Sequence, residues 1–175
     1  KSRGNVLHEL DGRSALELYT RYLGTYAAEL PASALLFPLS LRSSSGGAPL
    51  VRTVLAIDES DGSMTFAGDL PEGQYARLMK ANFERLIDGA FDAARASFGS
   101  RRSQPAALAL LISCVGRRMV LQQRAEEELE AVRDVLGDHT LLTGFYSYGE
   151  IAPFSPLAAS ELHNQTMTVT TIWEE

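Results

Sequence analysis

Ala106-Ala107-Leu108-Ala109-Leu110-Leu111-Ile112-Ser113-Cys114 carries no charge and is closed by Val115-Gly116-Arg117-Arg118. A bilayer span takes about 20 apolar residues, so this run has the length of a strand and not of a membrane helix. It alternates little and is apolar on both faces. That pattern predicts a central strand covered on both sides. Downstream, Leu121, Ala125, Leu129, Val132 and Leu136 recur at helical spacing and predict a helix over 118–136. Its acidic run Glu126–Glu128 is expected to face water, and Gly137 to end it. Upstream, Met79, Phe83, Leu86, Ala90, Ala94 and Phe98 share one stripe, which predicts a long helix over 74–98.

Toward the N-terminus, Asp11 is expected to cap a helix over Gly12–Leu23. Leu16, Tyr19 and Leu23 would face inward, with Gly24 as the stop. Ala34–Leu41 and Leu50–Asp58 read as strands, and Asp61-Gly62 turns the chain into a hairpin partner at Ser63–Ala67. Ser43–Pro49 reads as a connecting loop. Two β-rich segments, Thr140–Glu150 and Leu162–Trp173, finish the chain. The order α-β-β-β-α-β-α-β-β predicts an α+β fold: a mixed or antiparallel sheet flanked by helices, within a single domain over 1–175.

Composition bounds the function. Of 175 residues, 45% are hydrophobic and 22% charged, values of a globular chain. A net charge of −6 argues against a nucleic-acid surface, and Arg101-Arg102 and Arg117-Arg118 are the only basic pairs. No membrane span or signal-peptide pattern is visible, so the expected location is cytoplasmic. The chain opens on Lys1 instead of Met, as a fragment of a longer protein would. A single cysteine excludes an internal disulfide framework and a cysteine zinc site. His8, His139 and His163 lie far apart, so no structural metal is expected.

Period-two geometry sorts the last two segments. Tyr146, Tyr148 and Glu150 would share one face, as would Asn164, Thr166, Thr168 and Thr170, with His163 opposite. Paired as a hairpin, they would form either a polar floor for a small ligand or the solvated outer face of a sheet. Cys114 is either a structural buried thiol or a reactive one activated by Arg117 and a helix start. Arg52, inside an apolar strand, either pairs with Asp58, Asp69 or Glu150 or holds a ligand carboxylate. Arg117 has the same two readings. His163 is either a hydrogen-bonded structural residue or a heme candidate, with His139 as the alternative heme candidate. Asp69 and Glu72, in the turn-rich stretch 67–73, are secondary pocket candidates.

Phe37-Pro38-Leu39, Val51-Arg52, Asp61-Gly62-Ser63, A-G-D-L-P-E-G at 67–73, S-C-V-G-R at 113–117, G-F-Y-S-Y-G-E-I at 144–151 and L-H-N-Q-T at 162–166 occur in that order. From about Gly12 to Thr171 the chain resembles the C-terminal part of the FIST domain. That domain is a sensory module of bacterial signal-transduction proteins, also found in eukaryotic F-box proteins. The resemblance implies an input domain that binds a small molecule, an amino acid or a derivative. It also implies a signalling output protein or domain and an N-terminal FIST half absent from this chain. It carries over no catalytic residue, so an enzyme is not expected. Protein interaction, heme or nitric-oxide sensing and thiol-dependent hydrolysis stand as alternatives. The ligand-binding candidates are Arg52, Cys114, Arg117, Tyr146, Tyr148, Glu150, His163, Asn164 and Thr166.

Overall fold

Residues 1–42, 49–98, 104–154 and 158–174 are described in a computed structural model of the protein. Most of the Ser43–Pro49 loop and the Arg101-Arg102 pair lie outside the described residues. The chain divides into two compact units. The first comprises Lys1–Ala81, Phe154–Pro156 and Leu162–Asn164; the second comprises Asn82–Pro153, Leu157–Glu161 and Gln165–Glu175.

The first unit opens with short strands, β1 (Ser2–Arg3), β2 (Val6–Leu7), β3 (Glu9–Leu10) and β4 (Arg13–Ser14). Asp11 and Gly12 join β3 to β4, with φ of 50° and 74°. Two consecutive positive φ values are what a two-residue hairpin turn requires. Asp11 is therefore a turn residue and not the expected helix cap. The cap is Ser14, whose Oγ accepts from the Glu17 N–H at 3.3 Å. Helix α1 (Ala15–Leu23) buries Ala15, Tyr19 and Leu23, and Gly24 ends it as expected.

Ala32–Leu36, expected to contribute the start of a strand, is a 3-10 helix. Pro31 precedes it, and the Ala34 N–H bonds back to the Pro31 carbonyl at 3.1 Å. Strand β5 follows only at Leu39–Arg42. The expected strand over 50–58 divides at Thr53 into β6 (Leu50–Arg52) and β7 (Val54–Asp58). These belong to different sheets. Thr53 is diverted: its N–H meets Asn164 Oδ1 at 3.4 Å, and its carbonyl accepts from the Ala67 N–H at 2.8 Å. Strand β8 (Ser63–Phe66) pairs with β7 around Asp61-Gly62, as the turn signal predicts.

Gln74–Phe98 is not one helix. Tyr75–Leu78 forms strand β9, antiparallel to β5, and helix α2 begins only at Phe83 (Phe83–Phe98). Long-range pairing with β5 overrides a helical pattern there. Met79 precedes the helix and Phe83 is exposed, whereas Ala90 and Ala94 are buried as expected. The core of this first unit gathers Leu7, Tyr19, Leu39, Val54, Met64 and Phe66.

In the second unit β10 (Leu108–Cys114) is central, as its composition predicts. Helix α3 (Val115–Leu121) follows it directly. The expected helix over 118–136 breaks at Gln122, with φ of 51°, and resumes as α4 (Glu126–Leu136). Leu129 is exposed and Glu128 is buried, reversing the expected assignment of both. Strand β11 (Leu141–Ser147) runs parallel to β10 on one side. Strands β12 (Glu150–Pro153) and β13 (Ser160–His163) form a separate ribbon. Strand β14 (Met167–Ile172) lies antiparallel to β10 on its other side. The two C-terminal β segments thus flank β10 instead of pairing as a hairpin.

Ala90, Ala94, Val132 and Leu136 of α2 and α4 pack with Ala109 and Leu111 of β10. Leu108, Leu110 and Ile112 on the opposite face are only half-buried. The strand is central but fully covered on one face alone. Gly144 lies opposite Leu111, and a Cβ there would overlap the Leu111 carbonyl. We predict that Gly144→Ala destabilises this unit by about 2–3 kcal/mol. Urea unfolding followed by the fluorescence of Trp173, the sole tryptophan, measures it. A midpoint shift no larger than that of exposed Thr143→Ala would refute the clash.

Candidate functional site

Strand β11 ends at Ser147, so the alternation expected to run on to Glu150 stops short of it. Tyr148 is 83% exposed, and Glu150 is 3% exposed. Tyr146 lies under the Arg118 guanidinium, 5.1 Å from its ring centroid. With β11 and β14 on opposite sides of β10, the expected face of tyrosines, carboxylate, amide and hydroxyls does not form. What does form around Glu150 is smaller. Its Oε1 accepts from the Ser147 hydroxyl at 2.5 Å and its Oε2 from the Thr166 hydroxyl at 2.6 Å.

Cys114 is buried beside this group, its N–H bonded to the Thr166 carbonyl at 3.0 Å. Burial pushes its thiol above the ordinary range and the Glu150 charge adds to that, against weaker pulls from neighbouring amides and Arg117. A helix start and a guanidinium therefore do not make this a thiolate.

Arg117 is buried and turned inward. Its Nε and Nη2 engage Glu128, its Nη1 donates to the Gln165 carbonyl at 3.3 Å, and its Nη2 also reaches the Leu86 carbonyl. Glu128 is 1% exposed. Burial raises its carboxyl above the usual range, opposed by Arg117 and by the Ser113 hydroxyl. A signal for Glu128 was present in the sequence, since it precedes Val132 and Leu136 at intervals of four on the buried stripe of α4.

Three candidates belong to the first unit. Arg52 donates from Nε to the Asp69 carbonyl at 2.9 Å and from Nη1 to the Leu162 carbonyl at 3.0 Å. Gly68 admits it, since a Cβ there would come within 2.9 Å of Arg52 Nε. His163 is buried with its ring 6.1 Å from that of Phe154. Asn164 accepts from Thr53 and donates to the His163 carbonyl at 3.2 Å. Among the described residues, no cluster of His, Cys, Asp or Glu is arranged to hold a metal, and no helix is long and apolar enough to cross a membrane.

The first unit also holds a groove of about 750 Å³ that the motif reading did not find. One wall is the β3–β4 hairpin with Leu10, Asp11 and Arg13; another is α1 with Leu18, Tyr19 and Tyr22. Leu39 of β5 and Gln74, Tyr75, Ala76 and Leu78 along β9 complete it. Tyr19 is buried, which pushes its phenol far above the usual range, and its hydroxyl donates to the Phe37 carbonyl at 3.2 Å. The groove mixes apolar and aromatic side chains with polar ones, and carries opposite charges at one turn, Asp11 in it and Arg13 just after it. Its size lies within the ordinary range for small-ligand sites.

A family model described as the FIST C domain matches residues 15–153. The chain belongs to the FIST C-domain family. This is a sensory family of signalling proteins and is not known for catalysis. No curated protein and no solved structure matches the chain. In this FIST C domain the α1 and β9 walls of the groove fall inside the matched segment, while Asp11 and Arg13 lie just upstream of it.

Removing one member of the Arg117–Glu128 pair strands the other as a buried charge. We predict a loss of about 3–5 kcal/mol for Glu128→Ala. Joint replacement, Arg117→Met with Glu128→Leu, recovers most of it, and additive losses in urea unfolding would disprove the coupling. Folded Cys114 is also expected to alkylate with iodoacetamide at least about tenfold more slowly than free cysteine at about pH 8. Equal rates would contradict its burial.

Proposed function

We propose that this FIST C domain is a small-molecule-binding input domain, and that its ligand, an amino acid or a derivative, occupies the groove of the first unit. The groove itself carries the reading: a tyrosine-lined concavity of mixed polar and apolar surface, with Asp11 and Arg13 at one wall. A zwitterion needs a cation for its carboxylate and an anion for its ammonium, and these two side chains supply both. Leu18, Tyr19, Leu39 and Leu78 would receive an apolar side chain. Arg117 and Glu150 suit that role less well, because their polar atoms are engaged inside the second unit. Binding would then be passed to an output protein or domain of the signalling system.

Calorimetric titration with the common amino acids tests this. One or more apolar amino acids should bind. Arg13→Ala should weaken binding by about ten- to a hundredfold, the worth of a hydrogen bond to a charged group. Glu150→Gln should leave it unchanged. Absence of binding to the wild type, or indifference to both Arg13→Ala and Asp11→Ala, would remove the groove as the site.

A further inference from the structure

The groove runs beside the edge of a sheet. The sheet order is β6-β5-β9, so among the described residues β9 has a strand neighbour on one side only. Its hydrogen-bonding phase follows from the register Leu39↔Leu78 and two bonds that continue it. The Met79 N–H donates to the Pro38 carbonyl at 2.9 Å and the Ala81 N–H to the Leu36 carbonyl at 2.7 Å. Odd-numbered residues therefore direct their main-chain groups to β5, and Ala76 and Leu78 direct theirs outward. Both of these residues line the groove.

We propose that the groove takes an extended peptide segment, added to β9 as a further strand. The inference rests on the groove being the ligand site and specifies the class of derivative that fits it. A free amino acid has no amide N–H and carbonyl with which to meet two outward main-chain positions. An extended peptide repeats its main-chain groups about every 6.6–6.8 Å, the spacing of Ala76 and Leu78 along a strand. Gln74–Leu78 contains no proline, and Arg77 is its single charged residue, at a position whose main-chain groups turn toward β5. Strand addition of this kind draws affinity from main-chain bonds and specificity from pockets for alternate side chains. Tyr19 and Leu39 provide an apolar floor for one such side chain. Tyr22 and Tyr75, 70% and 72% exposed, offer ring faces to its neighbours. The partner is thus a peptide in extended conformation with an apolar residue at its centre.

The test uses the whole chain, free leucine, acetyl-Val-Leu-Val-amide, and the same peptide with its leucine nitrogen and the following one methylated. Binding is followed by calorimetry and by amide exchange at Ala76 and Leu78. The plain peptide should bind at least about tenfold more tightly than leucine and slow exchange at those two amides. Methylation should abolish its binding. Ala76→Pro should do the same while leaving the ladder to β5 intact, because the lost N–H faces outward. The methylated peptide gives the same information should that variant fail to fold. Equal binding of plain and methylated peptides, or unprotected Ala76 and Leu78 amides, would overturn the proposal. Binding of leucine without the peptide would overturn it while sparing the amino-acid reading. Failure of both would remove the two together. Dimerisation that protects the same amides without peptide would assign the edge to a second copy and overturn the peptide reading.

Discussion

The Arg117–Glu128 ion pair is the constraint on which the second unit depends. Arg117 sits in α3 directly after the central strand, and Glu128 sits in the first turn of α4. The guanidinium also reaches carbonyls of Leu86 on α2 and Gln165 just before β14. A buried guanidinium lacking partners costs several kcal/mol, of order 3–5. Three helices and the approach to β14 must therefore come within hydrogen-bond reach of one side chain. Glu150, Ser147 and Thr166 form a second, smaller fastener on the same principle. The polar residues near the C-terminus are thus largely occupied with each other.

Arg52 plays a comparable part in the first unit. It donates to carbonyls from distant segments, and Gly68 leaves it the room to do so. Asn164 satisfies the N–H of Thr53 at the point where the chain leaves one sheet for another. The outward main-chain groups of β9 lie beside aromatic rings and a charged hairpin. Interior polar groups here hold the fold, and the accessible chemistry lies along a rim.

Parts of this organisation were legible from local signals. The hairpin at Asp61-Gly62, the stops at Gly24 and Gly137, the central position of β10 and the α+β class depend on turn chemistry or runs of apolar residues. Neighbours in sequence suffice to specify those. Asp11-Gly12 carried the same hairpin signal, and reading Asp11 as a cap hid one wall of the groove. Glu128 looked solvated because two more glutamates precede it, although it continues the Val132–Leu136 stripe.

By itself the sequence determined the α+β class, the central strand, the family and the residue types available for recognition. Only the tertiary structure decided that Tyr75–Leu78 is a strand, that β11 and β14 lie on opposite sides of β10, and that Glu128 is interior. The physical reason is the range of the interactions. Caps and turns are satisfied within a few residues, whereas a strand's edge and a carboxylate's burial depend on partners far along the chain. The groove is the clearest case, since its continuous hairpin and helix, Leu39 of β5 and the edge strand β9 come from three separate stretches that meet only when the first unit folds.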